Sequence, residues 1–304
     1  MRKNFFLFLT CSLALLMTGC AVAPEAVIPA APTPVPVPDA GMQTVPASPG
    51  LLTANFFSCG DADSTLIRAG GYTVLIDTAT NKAGKHVVSR LKQLGVDTID
   101  LLIITHPHKD HVGGADHVLE AFSVRQVVQG PLEIDSKQVD QFVDGLKAKQ
   151  LSSSVLHAGD TLSLGDLRIE VLGPVRDLYE EENDLSLVFR LIWGDTVFLF
   201  PADAEKLALN DLLISGAPLR ADVLKVPHHG KGEDNSHLFF NAVSPSVAVV
   251  PCERGTKENL PERARVVKPL EALGAQVFVT HDGEIVVESD GHTVKAVQNT
   301  KKAN

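Results

Sequence analysis

The chain has 304 residues, 44% of them hydrophobic and 21% charged, with a net charge of −10 at pH 7. That apolar content can fill a sizeable core, which excludes a chain disordered throughout. The acidic balance excludes a protein that holds nucleic acid by bulk electrostatic attraction. It leaves room for an enzyme that cuts phosphodiesters, because bound metal ions reverse the sign of the potential locally.

The first residues read as an export leader. Arg2 and Lys3 give a charged start, Phe5 to Met17 an apolar run, and Leu16-Met17-Thr18-Gly19-Cys20 a short small-residue close. The run is shorter than a typical membrane-spanning helix and has signal-peptide proportions. Small residues before a cysteine resemble a bacterial lipobox, in which Cys20 would be lipidated, although Met17 stands where leucine is commoner. An ordinary signal peptide and an uncleaved anchor are the alternatives, and all three put the domain outside the cytoplasm. Residues 21–50 carry a proline every few positions, with Ala and Val between. Such a stretch favours extended conformations and builds no packed core. The expected organisation is therefore a lipoprotein signal peptide at 1–20, a linker at 21–50, a domain at 51–295 and a tail at 296–304. The expected location is the cell envelope, with the lipid holding the chain to a membrane.

From Leu51 the pattern is α/β. Strands are expected at Leu52 to Ser58, Thr65 to Arg68 and Tyr72 to Asp77, with Gly70-Gly71 as a hairpin turn. Lys85 to Leu94 has helical spacing and Gly95 as a stop. Asp100 to Thr105 is a buried strand, followed by helices at Ala115 to Phe122 and Lys137 to Lys149. Further strands are expected at Thr161 to Leu164, Arg168 to Leu172, Leu185 to Ile192, Thr196 to Phe200, Val223 to Val226 and Val247 to Val250. Helices at Glu205 to Ser215 and Glu262 to Leu273 separate the later ones. Gln276 to Thr280 and Glu284 to Glu288 read as a terminal strand pair around Asp282-Gly283. Two halves of this kind suit one domain of two sheets packed face to face, with helices outside.

The chemistry concentrates in His106-Pro107-His108-Lys109-Asp110-His111-Val112-Gly113-Gly114. Three imidazoles and a carboxylate within six residues, after a buried strand, suit zinc, manganese or iron. His106 and His108 can serve one ion, and Asp110 and His111 a second. A histidine-rich polar loop is the plainer alternative; the strand before and the Gly-Gly after argue against it.

This pattern resembles the HxHxDH motif of the metallo-β-lactamase superfamily. The resemblance implies a four-layer αββα sandwich with metal ligands on loops along one edge. It implies roles for further residues as well: Asp77 steadies the metal loop without touching metal, Asp203 bridges two ions, and His228 is the last ligand, with His229 as the other candidate. The stretches FFSCGDADSTLIR, IDLLIITHPHKDHVGG, NDLSLV with FLFPADAE, ADVLKVPHHG and PLEALGAQVFVTHDGEIVVESDG are similar to the hydrolase domain of ComEC-type DNA-uptake proteins. That family is thought to cut DNA phosphodiesters with metal ions. Asp63 keeps the acid expected near the site, in a loop altered to Cys59-Gly60-Asp61-Ala62-Asp63.

The chain also departs from the family. The superfamily's third histidine, which completes the first metal position, has no evident counterpart; Asn183, Asp184 and His157 are nearby in sequence or chemistry, and a lone His157 is more often structural. Ala202 replaces a glycine before Asp203, Lys231 a serine after the histidine pair, and Leu260 a later histidine. The resemblance implies hydrolysis by a metal-activated hydroxide held by two divalent ions, zinc or manganese, with Asp110 and Lys231 acting on an anionic phosphoester, DNA included. Metal bridged by Asp203 would bring the pKa of a shared water from about 16 toward about 7. Hydrolysis of a lactam, lactone or thioester is the rival within enzymes. A binding lipoprotein with a vestigial site is the rival outside them. Cys59 and Cys252 stand at strand ends, and a disulfide between them is an open alternative to two free thiols.

Overall fold

The computed structural model describes residues 50–131, 136–253, 262 and 264–300. The expectations for the leader, the linker, Cys20 and Leu260 lie outside these residues. The chain begins with a meander, β1 (Leu52–Phe56), β2 (Thr65–Ala69) and β3 (Tyr72–Ile76). Then α1 (Asn81–Gln93), β4 (Thr98–Ile104), α2 (Ala115–Ala121) and β5 (Ser123–Gln129) form parallel crossovers, followed by α3 (Lys137–Ala148) and β6 (Ser153–Val155). The second half starts antiparallel with β7 (Thr161–Leu164), β8 (Leu167–Gly173), β9 (Val188–Trp193) and β10 (Thr196–Phe200). It turns parallel through α4 (Lys206–Ile214), β11 (Val223–Lys225), α5 (Ser236–Val243), β12 (Val247–Val250), α6 (Val267–Ala272) and β13 (Gln276–Val279). Two last strands, β14 (Gly283–Ser289) and β15 (Val294–Thr300), return to the first sheet beside β1.

The strand orders are β15-β14-β1-β2-β3-β4-β5-β6 and β13-β12-β11-β10-β9-β8-β7. Side chains alternate between sheet faces, and the alternation builds three apolar layers. Leu101 and Ile103 of β4 meet Phe189, Phe198 and Phe200 of the opposite sheet between the two sheets. Leu102 and Ile104, one residue out of phase, pack with Val87 and Leu91 of α1 and Phe142 of α3. On the far side Leu199 and Leu224 pack with Leu209 of α4 and with Phe239 and Phe240 of α5. This is the αββα sandwich that the sequence implies. A strand buried on both faces, like β4, shows no polar alternation in its sequence.

Several elements correct the sequence reading. Gln276–Val279 and Gly283–Ser289 are not a pair: β13 lies parallel to β12 in one sheet and β14 antiparallel to β1 in the other. Gly283, at φ 140°, stands where the chain passes between sheets, a backbone state that suits glycine. β15 carries the first sheet to Thr300, beyond the expected end at 295. Residues Glu182–Leu185 form a 3-10 turn rather than the start of β9. The sequence reading also passed over β5, β6 and α5.

Candidate metal centre

Every chemically marked loop leaves the same edge, mostly from the carboxyl ends of strands. β3 runs out into Asp77, β4 into Thr105 and His106, β10 into Ala202 and Asp203, β11 into His228 and His229, and β12 into Pro251. Backbone strain gathers there. Of seven non-glycine residues with positive φ among those described, five are Asp77, Ala79, Ala202, His228 and His229. Such conformations cost of order 1–3 kcal/mol each and persist where the surroundings over-determine them. The loops are also tied together. Thr78 donates from both its amide and its hydroxyl to the His111 carbonyl, at 2.7 and 2.8 Å, and the Asp63 amide donates to the Asp110 carbonyl at 3.1 Å. Gly113 and Gly114 let the segment after His111 lie against the Lys109 and Thr78 carbonyls, where any Cβ would collide with backbone.

Asp203 is the hub. Its Oδ2 lies 3.2 Å from His229 Nε2, 3.3 Å from His111 Nε2, 3.9 Å from His228 Nε2 and 4.0 Å from His106 Nε2. Three of the rings are held at their other nitrogen. His111 Nδ1 lies 2.8 Å from Asp77 Oδ2, His229 Nδ1 3.1 Å from the Pro251 carbonyl and His106 Nδ1 3.1 Å from the Thr105 hydroxyl; His228 Nδ1 makes no hydrogen bond, although Glu205 Oε1 stands 2.9 Å away. Asp77 in turn accepts from the Thr105 amide and hydroxyl, both at 2.8 Å. Anchoring one ring nitrogen so that the other faces a common point is how proteins prepare imidazoles for metal.

Asp110, His111, Asp203 and His229 present ligand atoms that all lie within 4.8 Å of one another. His229 therefore stands where the sequence favoured His228: its Nε2 is 3.2 Å from both Asp110 Oδ2 and Asp203 Oδ2. Consecutive left-handed residues send adjacent side chains in different directions, which the motif alone does not reveal. The fit to metal is direct. His106 Nε2 and His111 Nε2 are buried and make no hydrogen bond, and buried polar atoms left so are costly.

Other expected residues fall outside this group. His108 turns to Glu182, 3.0 Å away, and Lys231 pairs with Glu205 at 3.3 Å on the exposed rim. Asp184 accepts from the Glu205 and Ala208 amides, at 2.9 and 3.0 Å, and caps α4. His157 is an exposed residue beside Asp160. Cys59 and Cys252 are not joined in a disulfide, and burial, reinforced by Asp63, pushes the Cys59 thiol up to about 12.

Lys225 escaped the sequence reading. It is buried on the inner face of β11, donates to the Ala202 carbonyl at 2.8 Å, lies 3.4 Å from Asp203 Oδ1 and makes a close ion pair with Asp63. A charge inside an otherwise apolar strand, VLKV, was the available signal, because a buried ammonium must be paired. Burial alone would raise the Asp63 pKa, yet Lys225 and His229 hold it down at about 2. Asp203 is likewise held well below the carboxylate range, against its burial, by His229, His111 and Lys225.

A two-sheet sandwich with a His/Asp group at the edge defines a class of proteins built to hold metal. Residues 58–252 match the family model for the Metallo-beta-lactamase superfamily, and the chain belongs to that superfamily as a metallo-hydrolase. Within it the similarity runs to competence proteins. The chain is 24% identical over 196 residues to ComE operon protein 3 of Bacillus subtilis, covering 64% of this chain and 25% of that one. It is 28% identical over 210 residues to competence protein ComA of Neisseria gonorrhoeae, covering 68% and 28%. The match thus spans only about a quarter of those relatives' length. Among solved structures, the metallo-beta-lactamase fold protein YhfI of Bacillus subtilis is alike in fold, at a TM-score of 0.57 and 16% identity, covering 79% of this chain and 100% of that one.

Proposed function

We propose that the protein is an exported, lipid-anchored phosphodiesterase that cuts an anionic phosphoester, DNA included, with two divalent ions, zinc or manganese. The carrying observation is the convergence of four imidazole Nε2 atoms on Asp203 Oδ2, with the His106, His111 and His229 rings steadied from behind. Neutral imidazoles and carboxylates are the donor set for such ions. His106, Asp110, His111, Asp203 and His229 would hold them, and His108 would join only by turning away from Glu182. When bound, the ions supply a more acidic water and positive charge for a phosphoryl oxygen. The protein's own part is positioning: Asp77 fixes the His111 ring and the Thr105 backbone, and Lys225 ties the Asp63 loop of one sheet to Asp203 of the other. Similarity to competence proteins supports a nucleic-acid substrate over a lactam.

The test is hydrolysis of bis-p-nitrophenyl phosphate and single-stranded DNA, by wild type and by an Asp110→Ala, His111→Ala variant, with metal content measured on the same samples. Cleavage by the wild type, lost with the metal in the variant, is expected. Turnover of a chromogenic cephalosporin without phosphodiester cleavage would replace this reading with lactam hydrolysis. For the anchor, radiolabelled palmitate should enter the wild type and not Cys20→Ala.

A further inference from the structure

The metal-site reading above leaves the ion open between zinc and manganese. We propose that Lys225 decides it: by holding Oδ1 of Asp203, the lysine leaves that carboxylate one oxygen for metal and so favours zinc at the position built from Asp110, His111, Asp203 and His229. The assignment rests on that reading.

The strand puts the lysine there. Val223 packs between the sheets and Leu224 against the helices behind, so Lys225, next in the alternation, returns to the inner face at the end where the loops gather. A buried ammonium needs acceptors, and this one has three. It donates to the Ala202 carbonyl at 2.8 Å and to Asp203 Oδ1 at 3.4 Å, and it pairs closely with Asp63. Asp63 reaches it from the first sheet, and Ala202 and Asp203 from the loop after β10 of the second. The ammonium is thus fixed from two sides.

The two oxygens of Asp203 therefore have different duties. Oδ1 faces Lys225, whereas Oδ2 faces the imidazoles, 3.2 Å from His229 Nε2 and 3.3 Å from His111 Nε2. With Asp110 Oδ2, 3.2 Å from His229 Nε2, the position offers two imidazole nitrogens and two carboxylate oxygens. Zinc is commonly satisfied by four such donors in a tetrahedron. Manganese suits oxygen-rich octahedral sites, and the second oxygen of Asp203, which would bring the site nearer to one, is taken by the lysine. A lysine that merely held the loops together would support both ions alike. One that withholds an oxygen sets the ratio between them.

The experiment is competition dialysis of the full chain against mixtures of zinc and manganese, with bound metal counted by mass spectrometry, for wild type and Lys225→Met. Zinc outcompetes manganese at most sites of nitrogen and oxygen donors, so the reading is the change in preference between the two proteins. Zinc affinity should fall about 10–100-fold in the variant, as it does when other groups that orient a ligand are removed. Manganese affinity should fall less, so that the preference for zinc drops by about tenfold or more. Cobalt gives a second reading: its visible bands should be intense in the wild type, as four donors require, and weaker in the variant as Asp203 adds an oxygen. An unchanged preference would overturn the assignment even if both affinities fell, because that is what a purely structural lysine produces. Cobalt bands already weak in the wild type would overturn it too. If Lys225→Met does not fold, a crystal structure of the zinc-loaded wild type decides. Lys225 Nζ on Asp203 Oδ1 is expected there, and both Asp203 oxygens on metal would overturn the assignment. Counting metal needs no substrate, so failure to cleave phosphodiesters leaves the assignment standing. A wild type that binds neither metal removes both readings.

Discussion

The two sides of Asp203 differ in charge although both are built of histidine. On one side burial should lower the imidazoles, but carboxylates prevail: Asp203 and Asp77 raise His111 to about 10, and Asp203 and Asp63 raise His229 well above its usual value. On the other side burial wins. His106 falls well below its usual value, pushed further by the neighbouring His111, and His228 falls too. Without metal, one side is a network of buried ion pairs, and on the other burial disfavours the charged form of two imidazoles. The same side chain thus serves as a cation or as a lone-pair donor according to how many carboxylates face it.

The largest effect should come from breaking the ion-paired side. Lys225→Met leaves Asp63 and Asp203 buried without their ammonium, a change that typically destabilises by about 3–5 kcal/mol. Urea unfolding in chelator should register it, and a cost no greater than that of Glu182→Gln on the exposed rim would mean the ion pairs are not coupled as described. Next, Asp77→Asn removes the carboxylate behind His111. Metal affinity should fall by about 10–100-fold, read by competition with a chromophoric chelator, with the loss confined to one of the two ions.

The contrast also predicts a pH dependence. With its pKa raised to about 10, His111 adds stability to the metal-free protein that is full below its ordinary value of 6.5 and is lost as pH rises through about 10. Metal must displace that proton, so affinity on this side should rise about tenfold per pH unit between 7 and 9 for each proton released. Calorimetry in buffers of different ionisation enthalpy counts those protons; release of none at pH 7 would erase the difference between the sides. The smallest effect concerns strain. Ala202 sits at φ 50°, where a Cβ costs about 1–2 kcal/mol and glycine loses more entropy on folding. Ala202→Gly should therefore raise stability by about 1 kcal/mol or less, measured by thermal unfolding, with metal binding unchanged.

Much of this was legible in order along the chain. The loop from His106 to His111 follows an apolar strand whose every residue from Ile99 to Ile104 is buried, and local spacing suffices to mark such a loop as a ligand cluster. Asp77 and Asp203 each stand at the end of a recognisable strand, but it was the resemblance to the family that marked them there. β5 was missed because its partly exposed first half, Ser123 to Gln126, dilutes the apolar signal. The β13–β14 pairing was misread because a turn sequence says that the chain turns, without saying which sheet it enters next.

What the sequence determined by itself is the inventory: the αββα class, from strands and helices whose periods are local, and the donor set, from a motif that folds as one loop. Tertiary structure alone decided the assignments. Whether His228 or His229 joins Asp110 depends on backbone angles fixed by the loop's neighbours. Lys225 became part of the site only when Asp63, some 160 residues earlier in the chain, was brought against it. The side on which an imidazole is charged depends on carboxylates from both sheets, and no spacing within a single segment records that meeting.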